Sequence, residues 1–335
     1  MYDPQAQNPA PPSEEEGPAP QPPQTPEPVQ APEPSQPPSP PQNRGSGWTG
    51  KAALALSAVA VLLAAVTLVV VLQGRNEPEP PPEEPGPQGN TFQYRDRIMT
   101  ALEGVPVNAY AKGDFSLNDK GRVAYPGARA GIDVSTHQQE IDWPAVAADG
   151  VDYAILRVGY RGYTEGGLFA DSQFARNIQG ATGAGLDVGL YFFSQAITPA
   201  EAEMEAAFVL EAIGDYEIAG PVAFDWERVE DSAARTNGLD GETLTRCAVA
   251  FCEKIKAAGY EPAVYLNQDQ AYLRYDLRQL TDYTLWLAEY GQLPDFYYDF
   301  DLWQYSCTGT VAGIQGDVDL NLDLRGAKEE GETPE

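Results

Sequence analysis

"GIDVSTHQQEIDWPAVAADGVDYAILRVGY", residues 131–160, sets the architecture. "GIDVS" reads as a short strand. "DWPAVAADG" reads as a helix with Pro144 in its first turn, where a missing N–H costs nothing. "DYAILRVGY" is apolar enough for a strand buried on both faces. Strand, helix and strand in succession imply parallel pairing through a right-handed crossover.

The same rhythm continues downstream. "DSQFARNIQGATGAG" reads as a helix with Asp171 as N-cap, and "DVGLYFFSQ" as a strand. "TPAEAEMEAAFVLEAIG" is a helix capped by Thr198, begun by Pro199 and closed by Gly214. "PVAFDWE" is a strand, and "DGETLTRCAVAFCEKIKAAGY" is an amphipathic helix. "EPAVYLN", "YTLWLAEY", "DLWQYS" and "GDVDLNL" are four further apolar runs. Eight strands, with helices between at least the first five, predict an α/β fold. The expected form is an irregular (β/α) barrel with helices shortened or lost near its end. A doubly wound open sheet is the alternative. No GxGxxG follows a strand, so no dinucleotide site is implied.

The flanks differ in kind. Residues 1–50 contain 16 prolines and are expected to be a disordered tail, open to SH3-like partners. Residues 52–72, "AALALSAVAVLLAAVTLVVVL", carry no charge. A helix of that length spans roughly 32 Å, about one hydrocarbon core, so a single transmembrane helix is expected over 51–73. Residues 74–91, rich in Pro and Glu, read as a stiff linker. Residues 92–130 read as a lead-in with a small helix and a hairpin. The catalytic barrel is expected over 131–325 and a disordered acidic tail over 326–335.

A net charge of −29 argues against nucleic acid as a partner. Cys247, Cys252 and Cys307 form no disulfide framework and are expected to be buried free thiols. A single histidine and no CxxC leave a Cys/His metal site unsupported, and no cofactor is implied.

The acids carry the chemistry. In a barrel, reactive groups stand at strand ends. Asp225 and Glu227 end the fourth strand two residues apart, hence on one face, with Trp226 on the other. Asp133 lies in the first strand, Glu289 ends "WLAEY", and Asp317 and Asp319 lie in the last run. Barrel closure would bring Asp133 beside Asp319. Neighbouring buried carboxylates split their pKa values, as glycoside hydrolysis requires. These acids could instead cap helices or pair with Arg157, Arg161 or Arg228. Tyr160, Tyr191, Phe193, Tyr265, Trp286, Trp303 and Tyr305 lie near strand ends, where aromatic faces could stack on sugars or simply pack. His137 is expected to orient Asp133 or bond strand-end backbone, and otherwise to touch substrate.

The ordered set "GIDVSTHQ", "DVGLYFFSQ", "PVAFDWE", "YLN", "WLAEY", "LWQYS" and "GDVDLNL" resembles the family 25 glycoside hydrolases, the Chalaropsis-type muramidases. The resemblance covers residues 131–323. It implies that Glu227 is the general acid, and that Asp225 orients the substrate acetamide or stabilises the oxocarbenium ion. It places Asp133 and Asp319 in the same catalytic set, with Asp319 preferred over Asp317. It implies substrate contacts by Tyr191, Phe193, Tyr265, Trp286, Glu289, Trp303 and Gln304. Phe192 departs from the pattern, since many relatives carry histidine there.

The implied substrate is peptidoglycan, cut between N-acetylmuramic acid and N-acetylglucosamine. Retention, inversion and acetamide participation stay open. A wall substrate implies a cytoplasmic N-terminus, a single pass through the bacterial cell membrane and an extracellular barrel. The alternatives are an inactive glycan-binding barrel, or a hydrolase of another acetamido-sugar polymer such as chitin.

Overall fold

The computed structural model describes residues 89–291 and 293–327. The expected tail, the transmembrane helix and nearly all of the linker lie outside the described residues. So does most of the acidic C-terminus. Among the described residues no helix is long and apolar enough to cross a membrane.

Eight strands close a barrel: β1 (Arg129–Val134), β2 (Tyr153–Arg161), β3 (Asp187–Ser194), β4 (Val222–Trp226), β5 (Pro262–Asn267), β6 (Thr284–Ala288), β7 (Leu302–Gly309) and β8 (Val318–Asp323). Each strand from β1 to β7 pairs in parallel with the next. β8 pairs antiparallel to both β7 and β1, and so closes the ring. The expectation of parallel pairing is thus corrected at β8. Only residues 310–317 separate β7 from β8. A parallel return needs a crossover of about a dozen residues or more.

The helices lengthen as far as the fourth and are short or lost after it, as expected near the end of the barrel. They are α1 (Trp143–Ala148), α2 (Phe174–Gly183), α3 (Pro199–Ile213), α4 (Gly241–Ala257) and α5 (Gln268–Leu273). Asp142 caps α1 through Ala145 N–H at 3.3 Å. Thr198 caps α3 and Asp240 caps α4. Asp171 does not cap α2, whose N-cap is Gln173 with no side-chain bond. Its buried carboxylate instead holds Arg157 Nε at 2.8 Å and Thr136 N–H at 2.9 Å. Its other oxygen, Oδ1, accepts from Gln173 N–H at 2.9 Å, so the aspartate serves the wall and the start of the helix at once.

Strand alternation separates two cores. Ile155, Ala223, Tyr265, Trp286 and Ala288 fill the barrel interior. Leu156, Phe192, Phe224, Val264 and Leu287 face outward, in one cluster with Ile178, Val209, Phe251 and Ile255 of the helices. Tyr153 plugs the interior opposite Gly131, where a Cβ would lie 2.2 Å from the tyrosine ring.

Among the described residues no helix connects β6 to β7. The lead-in covers that side instead. Phe92 stacks on Tyr297 at 4.2 Å, and Phe115 meets Trp303 edge-on at 5.4 Å. Tyr110 Oη donates to the Phe300 carbonyl at 2.9 Å. The expected lead-in helix is only a 3₁₀ turn, Lys112–Asp114, beside two hairpins. One hairpin pairs Thr91–Tyr94 with Arg97–Thr100, and the other pairs Ser116–Leu117 with Val123–Ala124. Cys247 and Cys252 are buried in α4, whereas Cys307 is exposed near the end of β7, against the expectation of burial.

Candidate active site

The antiparallel sense of β8 has a direct chemical effect. Its N-terminal end lies at the same rim as the C-terminal ends of the other strands. Asp319, second in β8, therefore pairs in register with Asp133, near the end of β1. Across the barrel, Asp225 on β4 sits in register with Tyr265 and Phe193. Glu227 follows one residue past β4. All four acids line one cleft of about 500 Å³.

Burial dominates their electrostatics. It holds Asp133 well above the ordinary aspartate range, and the charge of Asp319 adds to this. Asp133 Oδ2 accepts from Gln304 Nε2 at 2.7 Å and from Asn321 Nδ2 at 2.8 Å. The two carboxyls, opposite each other in register, interact strongly, and each is raised above the ordinary aspartate value. Asp319 is raised by its own burial, with His137 opposing. Asp225 is held well above its usual range by burial, then by Glu227 and Asp133, against Arg157. Its Oδ1 is buried with no partner among the described residues. Glu227 is raised by burial and by the charge of Asp319. The cleft therefore stores carboxylic acids above the pH at which exposed ones ionise.

Residues 132–314 match the sequence model of the glycosyl hydrolases family 25. The chain belongs to this family. It is 28% identical over 193 residues to an autolytic lysozyme of Clostridium acetobutylicum, covering 57% of this chain and 54% of that protein. It is 30% identical over 206 residues to the uncharacterized protein YegX of Escherichia coli O157:H7, covering 60% and 71%. The structure of the modular autolysin LytC from Streptococcus pneumoniae superposes with a TM-score of 0.52 at 26% identity. That likeness covers 68% of this chain and 53% of LytC. The chain thus spans about half the length of the clostridial and pneumococcal proteins.

The structure brings nine of the expected site residues to this family 25 cleft: the four acids, Tyr191, Phe193, Tyr265, Trp286 and Gln304. Glu289 and Trp303 are placed elsewhere. Gln304 faces inward, so its neighbour Trp303 faces outward by strand alternation. Trp303 is 1% exposed within the outer core, and its Nε1 donates to the Glu289 carbonyl at 2.9 Å. Glu289 Oε1 accepts from Asp295 N–H at 3.0 Å, across the β6–β7 connection. Both brace that loop. Tyr305 also packs against the outer core, and Asp317 is exposed ahead of β8.

Phe192 lies in the outer core, 5.7 Å from Phe208, and lines no part of the cleft. Trp226 likewise faces the outer core. The competing assignment of the acids to arginine partners does not hold. Arg157 pairs with Asp171 and Arg161 with Glu205, and Arg228 makes no ion pair among the described residues.

His137 also lines the cleft, and its charge lowers Asp319. Three contributors escaped the sequence reading. Asn321 orients Asp133 and accepts from Trp286 Nε1 at 2.8 Å. It lies two residues beyond Asp319, so strand period could have found it. Tyr290, in a loop, lines the cleft and donates to Gln304 Oε1 at 2.5 Å; no periodicity marks it. Arg157 lines the cleft together with Tyr160. They share a face because Val158 is an extra residue in the register between β2 and β3. Such a bulge re-aims every later side chain.

Proposed function

We propose that this chain is a peptidoglycan muramidase that hydrolyses the β-1,4 bond from N-acetylmuramic acid to N-acetylglucosamine. One observation carries the reading: a carboxylic acid raised by burial, Glu227, stands beside a buried carboxylate oxygen of Asp225 that lacks a donor. An acetamido sugar supplies the missing donor, because its N–H can bond Asp225 Oδ1. In the free protein burial raises both Asp225 and Glu227 above their ordinary values. A donated N–H stabilises the Asp225 carboxylate and leaves the proton on Glu227. Glu227 then protonates the glycosidic oxygen as the C1–O bond breaks. Water supplies hydroxide to C1 and returns a proton to Glu227. Asp319, paired with Asp133, stabilises the positive charge that develops on the sugar ring.

Digestion of purified peptidoglycan followed by borohydride reduction tests this reading. The expected product is muramitol, from new reducing ends on muramic acid. Glucosaminitol as the main product would assign another bond. Sedimentation with glycan but no new ends would make the chain a binding module.

The uncharged run 52–72 further supports a reading in which one membrane helix tethers the enzyme on the wall side. A tether raises the effective concentration of an acidic enzyme near an anionic wall. Protease added to intact cells is expected to remove the barrel, and a protected barrel would place it inside.

A further inference from the structure

Glu227 lines two grooves. One is the cleft of the four acids. The other, of about 400 Å³, runs past Trp226 and Arg228 to Arg274 and Leu273. Leu273, 44% exposed, also lines a third groove of about 200 Å³, formed with Tyr94, Arg95, Asp96 and Arg97 of the first lead-in hairpin. The cleft and the second groove share Glu227, and the second and third share Leu273.

Charge changes sign along these grooves. The cleft holds four carboxyls and one arginine, Arg157, whereas the continuation presents Arg228, Arg274, Arg95 and Arg97 against Asp269 and Asp96, with Arg95 paired to Asp269. That clustering is notable in a chain with 21 basic and 50 acidic residues. Asp269, the acid that lines the middle groove beside Glu227, is engaged. It accepts from Tyr94 Oη at 2.8 Å and from Arg95 at 2.6 Å, which docks the hairpin on α5. Arg228 and Arg97 make no ion pair among the described residues. Arg95 occupies the hairpin turn at φ 51°, a conformation that favours glycine or asparagine over arginine. The hairpin accepts that strain to carry an arginine at its tip.

We propose that the two outer grooves hold the leaving-group side of the peptidoglycan strand, and that the lead-in hairpin extends the cleft to bind the carboxylates of its stem peptides. The inference rests on Glu227 as proton donor. The glycosidic oxygen must lie beside Glu227, so one sugar occupies the acidic cleft and the leaving sugar lies on the other side. The leaving strand then runs toward Leu273 and the hairpin. Stem peptides, absent from N-acetylglucosamine, begin at the next muramic acid along the strand, and their carboxylates meet the arginines there.

The test uses the full chain and its R95Q/R97Q variant on three substrates. These are peptidoglycan with intact stems, the same glycan stripped of stems, and a short tetrasaccharide of the two sugars. Two exposed charge contacts are together worth roughly 1 kcal/mol, so kcat/KM on stem-bearing polymer should fall roughly fivefold, mainly through KM. The tetrasaccharide and the stripped glycan should change by less than about twofold. Salt at about 0.5 M should erase the difference, because exposed contacts are screened. R97Q alone leaves the Arg95–Asp269 pair in place and should retain about half of the effect in free-energy terms; it keeps the test valid if the double variant loosens the hairpin. Equal losses on all three substrates, or no loss on the stem-bearing polymer, would overturn the proposal. Wild-type protein that cleaves none of the three would instead overturn the muramidase reading.

Discussion

Glu227→Gln is expected to lower kcat on purified peptidoglycan by about 10²–10⁴-fold, the usual contribution of a positioned general acid. The substitution keeps size and polarity but removes the transferable proton. Binding should persist, so KM should change far less than kcat. The pH dependence follows from the direction of the shift. Burial and the charge of Asp319 raise Glu227 above the ordinary glutamate value of 4.5. Its protonated form therefore survives to higher pH than in an exposed glutamate. Activity should fall as pH rises through that raised value, and the Glu227→Gln variant should lack this alkaline limb. Release of reducing ends across a pH series measures both effects. A variant with wild-type turnover would remove Glu227 from the reaction.

Asp225→Asn should separate activity from stability. An amide cannot accept the acetamide N–H as strongly as a carboxylate, and it adds a competing donor. A loss of about 10²–10³ in kcat/KM follows from removing one preorganised electrostatic partner. Stability should move the other way. The folded pKa of Asp225 lies well above its ordinary value of 3.8. A raised carboxyl pKa stabilises the fold at pH below the unfolded value, and that contribution is lost as pH rises through the folded value. At pH 7 wild type therefore bears a buried, donor-poor acid that an amide relieves. The Asp225→Asn substitution should raise Tm by about 3 °C at pH 7, near 1 kcal/mol, and the gain should shrink toward pH 4. Calorimetry at both pH values decides. A variant less stable than wild type at pH 7 would mean that Asp225 has a stabilising partner in the fold.

Much of the site was legible because strand periodicity is a local property. Two-residue spacing alone puts Asp225 and Glu227 toward the cleft and Trp226 away from it, as observed. The same rule failed for Trp303 only because the phase of β7 was ambiguous by one residue. Once Gln304 bonds Asp133, Trp303 must face outward. Tyr160 shows the opposite case. Strict alternation from Arg157 turns it out of the barrel, and the extra residue Val158 turns it back in. A bulge arises from the register with a neighbouring strand, which no single segment encodes. Asp171 is similar: sequence shows a helix-start acceptor, which bonds Gln173 N–H, and the fold adds a guanidinium from a distant strand to its second oxygen.

The chain's own pattern determined eight strands, helices short or lost near the end, and the shared face of Asp225 and Glu227. Each of these depends on neighbours a few residues apart. The choice of Asp319 over Asp317 came from the family resemblance. Tertiary structure decided the direction of β8, the pairing of Asp133 with Asp319 across the closed barrel, and the lead-in cover over Trp303. It also decided the grooves between Glu227 and the hairpin arginines. These depend on which distant segments meet. Charge and burial act through space, so a pKa or a groove exists only after the barrel has closed.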